Sequence, residues 1–345
     1  MFSSPPPVST AVNSHRQSSL LHDLMYGHIY ASALRAVVFH HIPDALAAGP
    51  RGVEELAAQT GVMAEPLERV LRLLAMKDLF HKEDDGMWDL SPAGRSLCSD
   101  AVNSQREAAL LFTDEMFRHS AAGLPNTLMT GLPGFEVFHG MEFFPYLRGH
   151  SEKNQVFDKA MVSITAGVNE KIARSYLFPE TGTVVDVAGG RGGLLKEVLA
   201  LHPGLSGVLL DRPETIASHL LDGEALKGRC RIVAGDIFSN LTVQGDIYLL
   251  KNVLHDFSDG DAVKILRNVR SAMRPGAKLL VIEAVLPDDG SAHPAVALDI
   301  VMLMTVRGRE RTESEFDALL GSAGFRMSSV LPTLALSSII EAEAV

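Results

Sequence analysis

Apolar positions change their spacing along the chain. From Leu20 to about Asp100 they recur at helical intervals, as in "HIYASALRAVVFHHIPDALAAG" (28–49). The next stretch, "GVEELAAQTGVMAEPLERVLRLLAMKDLF" (52–80), predicts a short helix, a turn at Gly61 and a longer helix. "HKEDDGMWDLSPAGRSL" (81–97) predicts two short strands around Asp84, Asp85 and Gly86, closed by Ser91-Pro92. Between Val102 and Arg174 the spacing is helical again, broken by "GLPGFEVFHG" (131–140), with Ser151 as the cap of a helix through "EKNQVFDKAMVSITAGVNEKIA".

From Thr181 short apolar runs alternate with helical segments. "TVVDV", "SGVLLD", "RIVAGDIF", "DIYLLKNVL" and "AKLLVIEAVL" predict strands, while "GLLKEVLAL" and "SDGDAVKILRNVRSAM" predict helices. Such alternation implies an α/β domain whose parallel sheet is covered on both faces. The end, "GFRMSSVLPTLALSSIIEAEA", predicts a hairpin at the sheet edge, and no 20–50-residue repeat occurs. The expected organisation is a disordered Pro/Ser tail over 1–15, a winged-helix unit over 16–100, a helical linking and pocket region over 101–175, and the α/β domain over 176–345.

Bulk numbers narrow the classes. With 345 residues, 46% of them apolar, two domains with a sizeable core are expected. The net charge of −11 opposes a phosphate-backbone partner. In the predicted second helix Arg69, Arg72 and Lys77 stand against Glu65, Glu68 and Asp78, which gives no basic face for a major groove. The winged helix therefore reads as a packing or dimerisation module. Cys98 and Cys230 form no C-x-x-C, the N-terminus has no apolar signal, and "AVALDIVMLMTV" (295–306) is short and carries Asp299. A cytoplasmic protein without membrane spans is the expectation.

"VVDVAGGRGGLLKEVL" (184–199) joins a strand, a glycine-rich turn and a helix. Gly189 and Gly190 let the backbone approach a ligand, and ligands sit at the carboxyl ends of such strands. The nicotinamide fingerprint G-x-G-x-x-G fails, because Leu195 stands where its third glycine belongs. Asp211 closes the next strand, 25 residues after Asp186, where a carboxylate takes both ribose hydroxyls. Asp236 ends the third strand beside Ile237 and Phe238, able to accept from an adenine amino group while the apolar pair flanks the ring. One such Asp is a turn former; three successive ones after a glycine turn point to a nucleoside.

"VVDVAGGRGG", "LLDRPETI", "AGDIF", "LLKNVLHDF", "VIEAVLP", "DIVMLM" and "GRERTESEF" follow one another in the order seen in S-adenosylmethionine-dependent O-methyltransferases of small aromatic natural products. From about Leu20 onward the chain resembles the plant caffeic-acid type and its bacterial secondary-metabolism relatives. The resemblance implies a Rossmann-like class I methyltransferase sheet, mostly parallel with an antiparallel C-terminal hairpin, and S-adenosylmethionine as cofactor. It also implies a homodimer whose N-terminal domain closes over the partner's active site, and a small aromatic acceptor.

Within "KNVLHDF" (251–257), His255 follows the fourth strand of the ligand-binding sheet. A phenol of pKa ~10 must lose its proton as it attacks a sulfonium methyl, and a neutral imidazole can accept that proton. A base needs a partner that fixes its tautomer. Glu283 interrupts a buried apolar strand, where an unpaired carboxylate is costly, so a partner is implied for it. By the resemblance, Glu283 and Glu310 are the two acids, although "RGRER" on its own reads as a solvated charge run. The resemblance also assigns Lys251 to the cofactor, Asp256 to the acceptor, and Phe157, Met161 and Met302 to apolar pocket walls. No metal is required.

Departures from the family pattern are Ala188 for a glycine, tolerable if its φ is negative, Arg191 for a small or polar residue, Phe257 for Trp, and Arg307-Gly308 for a glycine pair. Three rival readings remain open: N- or S-methylation, a cofactor-assisted pericyclisation, decarboxylation or hydroxylation on the same fold, and a DNA-binding regulator.

Overall fold

A computed structural model describes the backbone of residues 8–165 and 167–345 and, of these, the side chains from Leu20 onward. The chain divides into two compact units, one holding residues through Glu115 together with Val156–Ser163, the other holding Met116–Gln155 and Ile164–Val345. Residues 101–175, expected as one linking region, are thus shared between the units. The first helix begins at Val8, inside the stretch expected as a tail, and residues 1–7 lie outside the described residues.

In the first unit, helices Val53–Thr60 and Ala64–Ala75 meet at left-handed Gly61 (φ 72°). Strands β1 (Phe80–Lys82) and β2 (Trp88–Leu90) pair antiparallel, and Ser91 caps the helix that follows by accepting from the Gly94 amide. Leu56, Leu71, Phe80 and Trp88 form its core. Basic residues around the predicted second helix and wing are paired: Arg72 and Lys82 with Glu68 (2.9 and 2.8 Å), Arg69 with Glu65 (3.6 Å), and Lys77 with Asp23 (2.8 Å) rather than with Asp78.

The second unit holds an eight-stranded sheet of β3 (Gly182–Val187), β4 (Leu205–Asp211), β5 (Cys230–Ala234), β6 (Ile247–Lys251), β7 (Lys278–Leu286), β8 (Arg311–Thr312), β9 (Phe325–Pro332) and β10 (Ser337–Ala344). Its order is β5-β4-β3-β6-β7-β10-β9, with β8 on β7. β3 to β7 run parallel; β9 and β10 form the antiparallel edge hairpin. Two apolar clusters cover the faces, one around Leu195, Leu209 and Leu249, the other around Val185, Leu250 and Ile265. Strand order reverses at β3/β6, so a ligand crevice is expected at their carboxyl ends.

The stretch 131–140, expected as a break, contains helix Gly134–His139, set between left-handed Gly131 and Gly140. Gly123 and Gly134 abut so closely that a Cβ on either would meet the other's backbone or that of Ser120, which explains glycine at these two helix starts. Among the described residues no helix is long and apolar enough to cross a membrane.

Candidate active site

After β6 the chain turns through left-handed Asn252 (φ 52°) into a short 3-10 turn, Leu254–Asp256. This turn carries His255, which is 8% exposed, beside Glu283 of β7 and Glu310 just before β8, both fully buried. His255 Nδ1 lies 2.7 Å from Glu310 Oε1 and 3.4 Å from Glu283 Oε2. Glu283 Oε1 accepts from the Val253 and Leu254 amides at 2.9 Å each, so the carboxylate buried in β7 also ties down the turn. The Glu310 amide donates to Asp299 Oδ1 at 2.9 Å, on helix Ala295–Thr305. Nε2 is left on the far side of the ring, 3.8 Å from Asp256 Oδ1.

Electrostatics follow from burial and crowding. Burial alone would strip the imidazole of its proton, but Glu283, Asp256 and Glu310 outweigh it and push His255 up to about 10. Burial pushes Asp256 up to about 7 against the pull of His255, and raises Glu283 likewise. The 2.7 Å contact is a direct hydrogen bond, closer than two ligands set ~2.0–2.2 Å from a shared ion in a tetrahedral site.

The glycine turn is packed against Asp186, whose carboxylate is fully buried with no well-formed hydrogen bond to either oxygen. A Cβ at Gly189 would lie 2.4 Å from that carboxylate, and Gly190 is left-handed (φ 60°). Burial pushes Asp186 up to about 7, with Lys251 pulling it down; burial likewise depresses Lys251. Asp211 accepts from the Gly190 amide at 2.8 Å and the Arg212 amide at 2.7 Å, so the end of β4 is bonded to the turn after β3. Arg191 points away, its Nε donating to the Ser218 carbonyl at 2.6 Å. Ala188 has φ 54°, so the condition under which alanine is readily tolerated there is not met: the site that favours glycine holds an alanine in strained backbone.

Asp236 lies two residues beyond β5, where it accepts from the Phe238 amide at 3.0 Å in the manner of a turn former. Ile237 packs on the core, and its carbonyl accepts from Asn268 at 2.8 Å. Phe238 meets Phe257 edge to face, with ring centroids 5.2 Å apart, which brings this loop beside the His255 turn.

A family model of the O-methyltransferase domain matches residues 122–326, and one of the O-methyltransferase dimerisation domain matches 22–100. The chain belongs to the O-methyltransferase family. It is 36% identical to a phenazine O-methyltransferase of Lysobacter antibioticus, covering 94% of this chain and 96% of the relative. It is 34% identical to an 8-amino-8-demethylriboflavin N,N-dimethyltransferase of Streptomyces davaonensis, covering 90% and 91%. Among solved structures, the S-adenosylhomocysteine-bound methyltransferase CalO1 of calicheamicin biosynthesis has a TM-score of 0.86 at 39% identity, covering 95% of this chain and 98% of that one. S-adenosylmethionine is the cofactor of this O-methyltransferase, an enzyme with a class I methyltransferase fold.

The residues fit that cofactor. The fully buried Asp186 carboxylate, the glycine turn that tolerates no side chain at 189, and Asp211 together suit a cationic nucleoside. Of the expected pocket residues, Met302 is buried on helix Ala295–Thr305, whereas Phe157 and Met161 belong to the segment 156–163 of the first unit. Three residues around His255 and Glu310 were given no role by the sequence: Asp299, noted only as a charge in an apolar run, Gly308, noted only as half of a broken glycine pair, and Arg311. A Cβ on Gly308 would sit 1.9 Å from the His255 carbonyl, so backbone rests on backbone there.

Proposed function

We propose that this O-methyltransferase methylates a hydroxyl of a small aromatic secondary metabolite, with His255 as general base, oriented by Glu310 and Glu283. The observation that carries the reading is the 2.7 Å contact of His255 Nδ1 with buried Glu310, which leaves Nε2 as the face open to an acceptor. Bound S-adenosylmethionine supplies an electrophilic methyl group on a sulfonium centre. Everything else falls to the chain. A phenol is a weak acid of pKa ~10, and the carboxylates around His255 raise its proton affinity well above that of an ordinary imidazole, which favours transfer of the phenol's proton to it. Glu310 and Glu283 then stabilise the imidazolium that forms.

Gly189, Gly190, Asp211, Asp236, Ile237, Phe238 and Lys251 are the residues we assign to the cofactor, Asp211 to the ribose and the Asp236–Phe238 loop to the adenine. Asp256 and Met302 are assigned to the acceptor. The dimerisation-domain match and the exposed Leu20, Leu21, Leu24 and Met25 on the first helix support a homodimer. The paired basic residues of the winged-helix unit oppose a DNA reader.

His255→Ala tests the mechanism: turnover should fall by about 10²–10⁴, with S-adenosylhomocysteine affinity nearly intact by calorimetry. Unchanged turnover would remove His255 from the chemistry. A nitrogen acceptor is the second reading, favoured by the N,N-dimethyltransferase relative; an amine attacks without prior deprotonation, so His255→Ala would then cost little.

A further inference from the structure

Arg311 is among the largest fully buried side chains, and its guanidinium makes five hydrogen bonds. Nη1 donates to the Leu254 carbonyl at 3.1 Å and to the Arg309 carbonyl at 3.3 Å. Nη2 donates to the Phe257 carbonyl at 3.1 Å and to Asp259 Oδ1 at 2.8 Å, which also accepts from Nε at 3.0 Å. Leu254 and Phe257 bracket His255 and Asp256, while Arg309 immediately precedes Glu310. One planar cation thus grips the backbone on both sides of the imidazole and next to its carboxylate partner.

The anion it pairs with, Asp259, has a side chain 61% exposed. A buried guanidinium with a solvated counter-ion is a poor source of stability, and an apolar side chain would fill the space at lower cost. What it supplies is a rigid fork of five donors, which lysine, with three donors on a flexible stem, does not reproduce. The β-bridge Val285↔Arg311 fixes the base of this side chain to the strand that carries Glu283.

We propose that Arg311 is a positioning residue for catalysis, holding the His255 turn and Glu310 in register so that the imidazole and carboxylate stay in contact. This rests on the reading of His255 as the base. Arg311→Lys should lower kcat by about 10–10²-fold, the cost of a displacement near 1 Å. S-adenosylhomocysteine affinity should stay within about twofold, because none of the five bonds goes to the glycine turn, Asp211 or the Asp236–Phe238 loop. The pH midpoint of kcat/KM should move to lower pH, since His255 loses its anionic partner.

A double-mutant cycle decides between positioning and mere support. On a His255→Ala background Arg311→Lys should cost no further turnover; a full additive loss there, or wild-type kcat in Arg311→Lys alone, overturns the inference. Asp259→Ala removes two of the five bonds and leaves the rest, and should lower kcat about 3–10-fold with the same direction of pH shift. If Arg311→Lys does not fold, Asp259→Ala with wild-type kcat and an unmoved midpoint overturns it. Full turnover in His255→Ala alone would remove the base reading itself, whereas impaired His255→Ala beside normal Arg311→Lys removes only the role of Arg311.

Discussion

Replacing Glu310 with Gln deletes one buried negative charge and keeps an oxygen for His255 Nδ1. The wild-type contact is 2.7 Å with both groups buried, so it is a charge-assisted hydrogen bond, of a kind contributing about 1.5–3 kcal/mol. Divided by 1.36 kcal/mol for each pKa unit, that lowers the affinity of His255 for its proton by about 1–2 units. Glu283, at 3.4 Å, retains the remaining pull. The assay is kcat/KM against pH, which reports the free enzyme. Wild-type activity should rise through neutrality toward pH 10, because His255 must be neutral to accept a proton and its carboxylate neighbours hold that proton on. The variant should level off about 1–2 units lower, and its plateau should be about 10–10²-fold lower because the base is weaker. At pH 7 these effects oppose each other, so the plateaus are compared.

Stability gives an independent reading of the same shift. A histidine whose folded pKa is raised contributes stability fully present below its unfolded value of ~6.5, lost as pH climbs toward about 10. Glu310→Gln should therefore flatten the alkaline decline in unfolding free energy. A variant whose kcat/KM midpoint coincides with wild type would refute the argument, since no loss of this anion could leave the imidazole unaffected.

Asp211→Ala should weaken S-adenosylhomocysteine binding by about 10–10²-fold, the equivalent of 1.5–3 kcal/mol for hydrogen bonds to a charged group, measured by calorimetry; unchanged affinity would take the ribose contact away from this residue. Ala188→Gly should stabilise the protein by about 0.5–1 kcal/mol, because relief of left-handed strain of about 1–2 kcal/mol exceeds the extra chain entropy of glycine. Denaturant midpoints read that change, and a destabilised variant would contradict the strain at φ 54°.

The sheet was legible because its strands are short apolar runs separated by helical ones, a pattern that burial on both faces enforces. His255 and Glu283 could be found for a related reason: a carboxylate inside "LLVIEAVL" cannot be left alone, and the structure gives Glu283 two amides and an imidazole. "RGRER" misled because neighbours in sequence part company in space. Arg307 and Arg309 are exposed, and Arg307 forms a two-pronged ion pair with Glu136, while Glu310 and Arg311 are fully buried. Nothing in a run of charges tells which will face inward, since that depends on the β8 bridge to β7 and on Gly308 lying against the His255 turn. Ala188 misled differently: a residue type suggests its common backbone region, and the packing of β3 against the glycine turn overrides that preference.

Asp299 couples two properties that would otherwise vary independently. The helix that carries Met302 also holds the Glu310 amide through the Asp299 carboxylate, so under the proposed assignment of Met302 to the acceptor, substitutions that reshape this wall would tug on Glu310, the proposed partner of the imidazole. Selection for altered substrate preference along this helix would then act on rate as well as on fit. Changes that leave position 299 undisturbed form the narrow route by which the two can be adjusted separately.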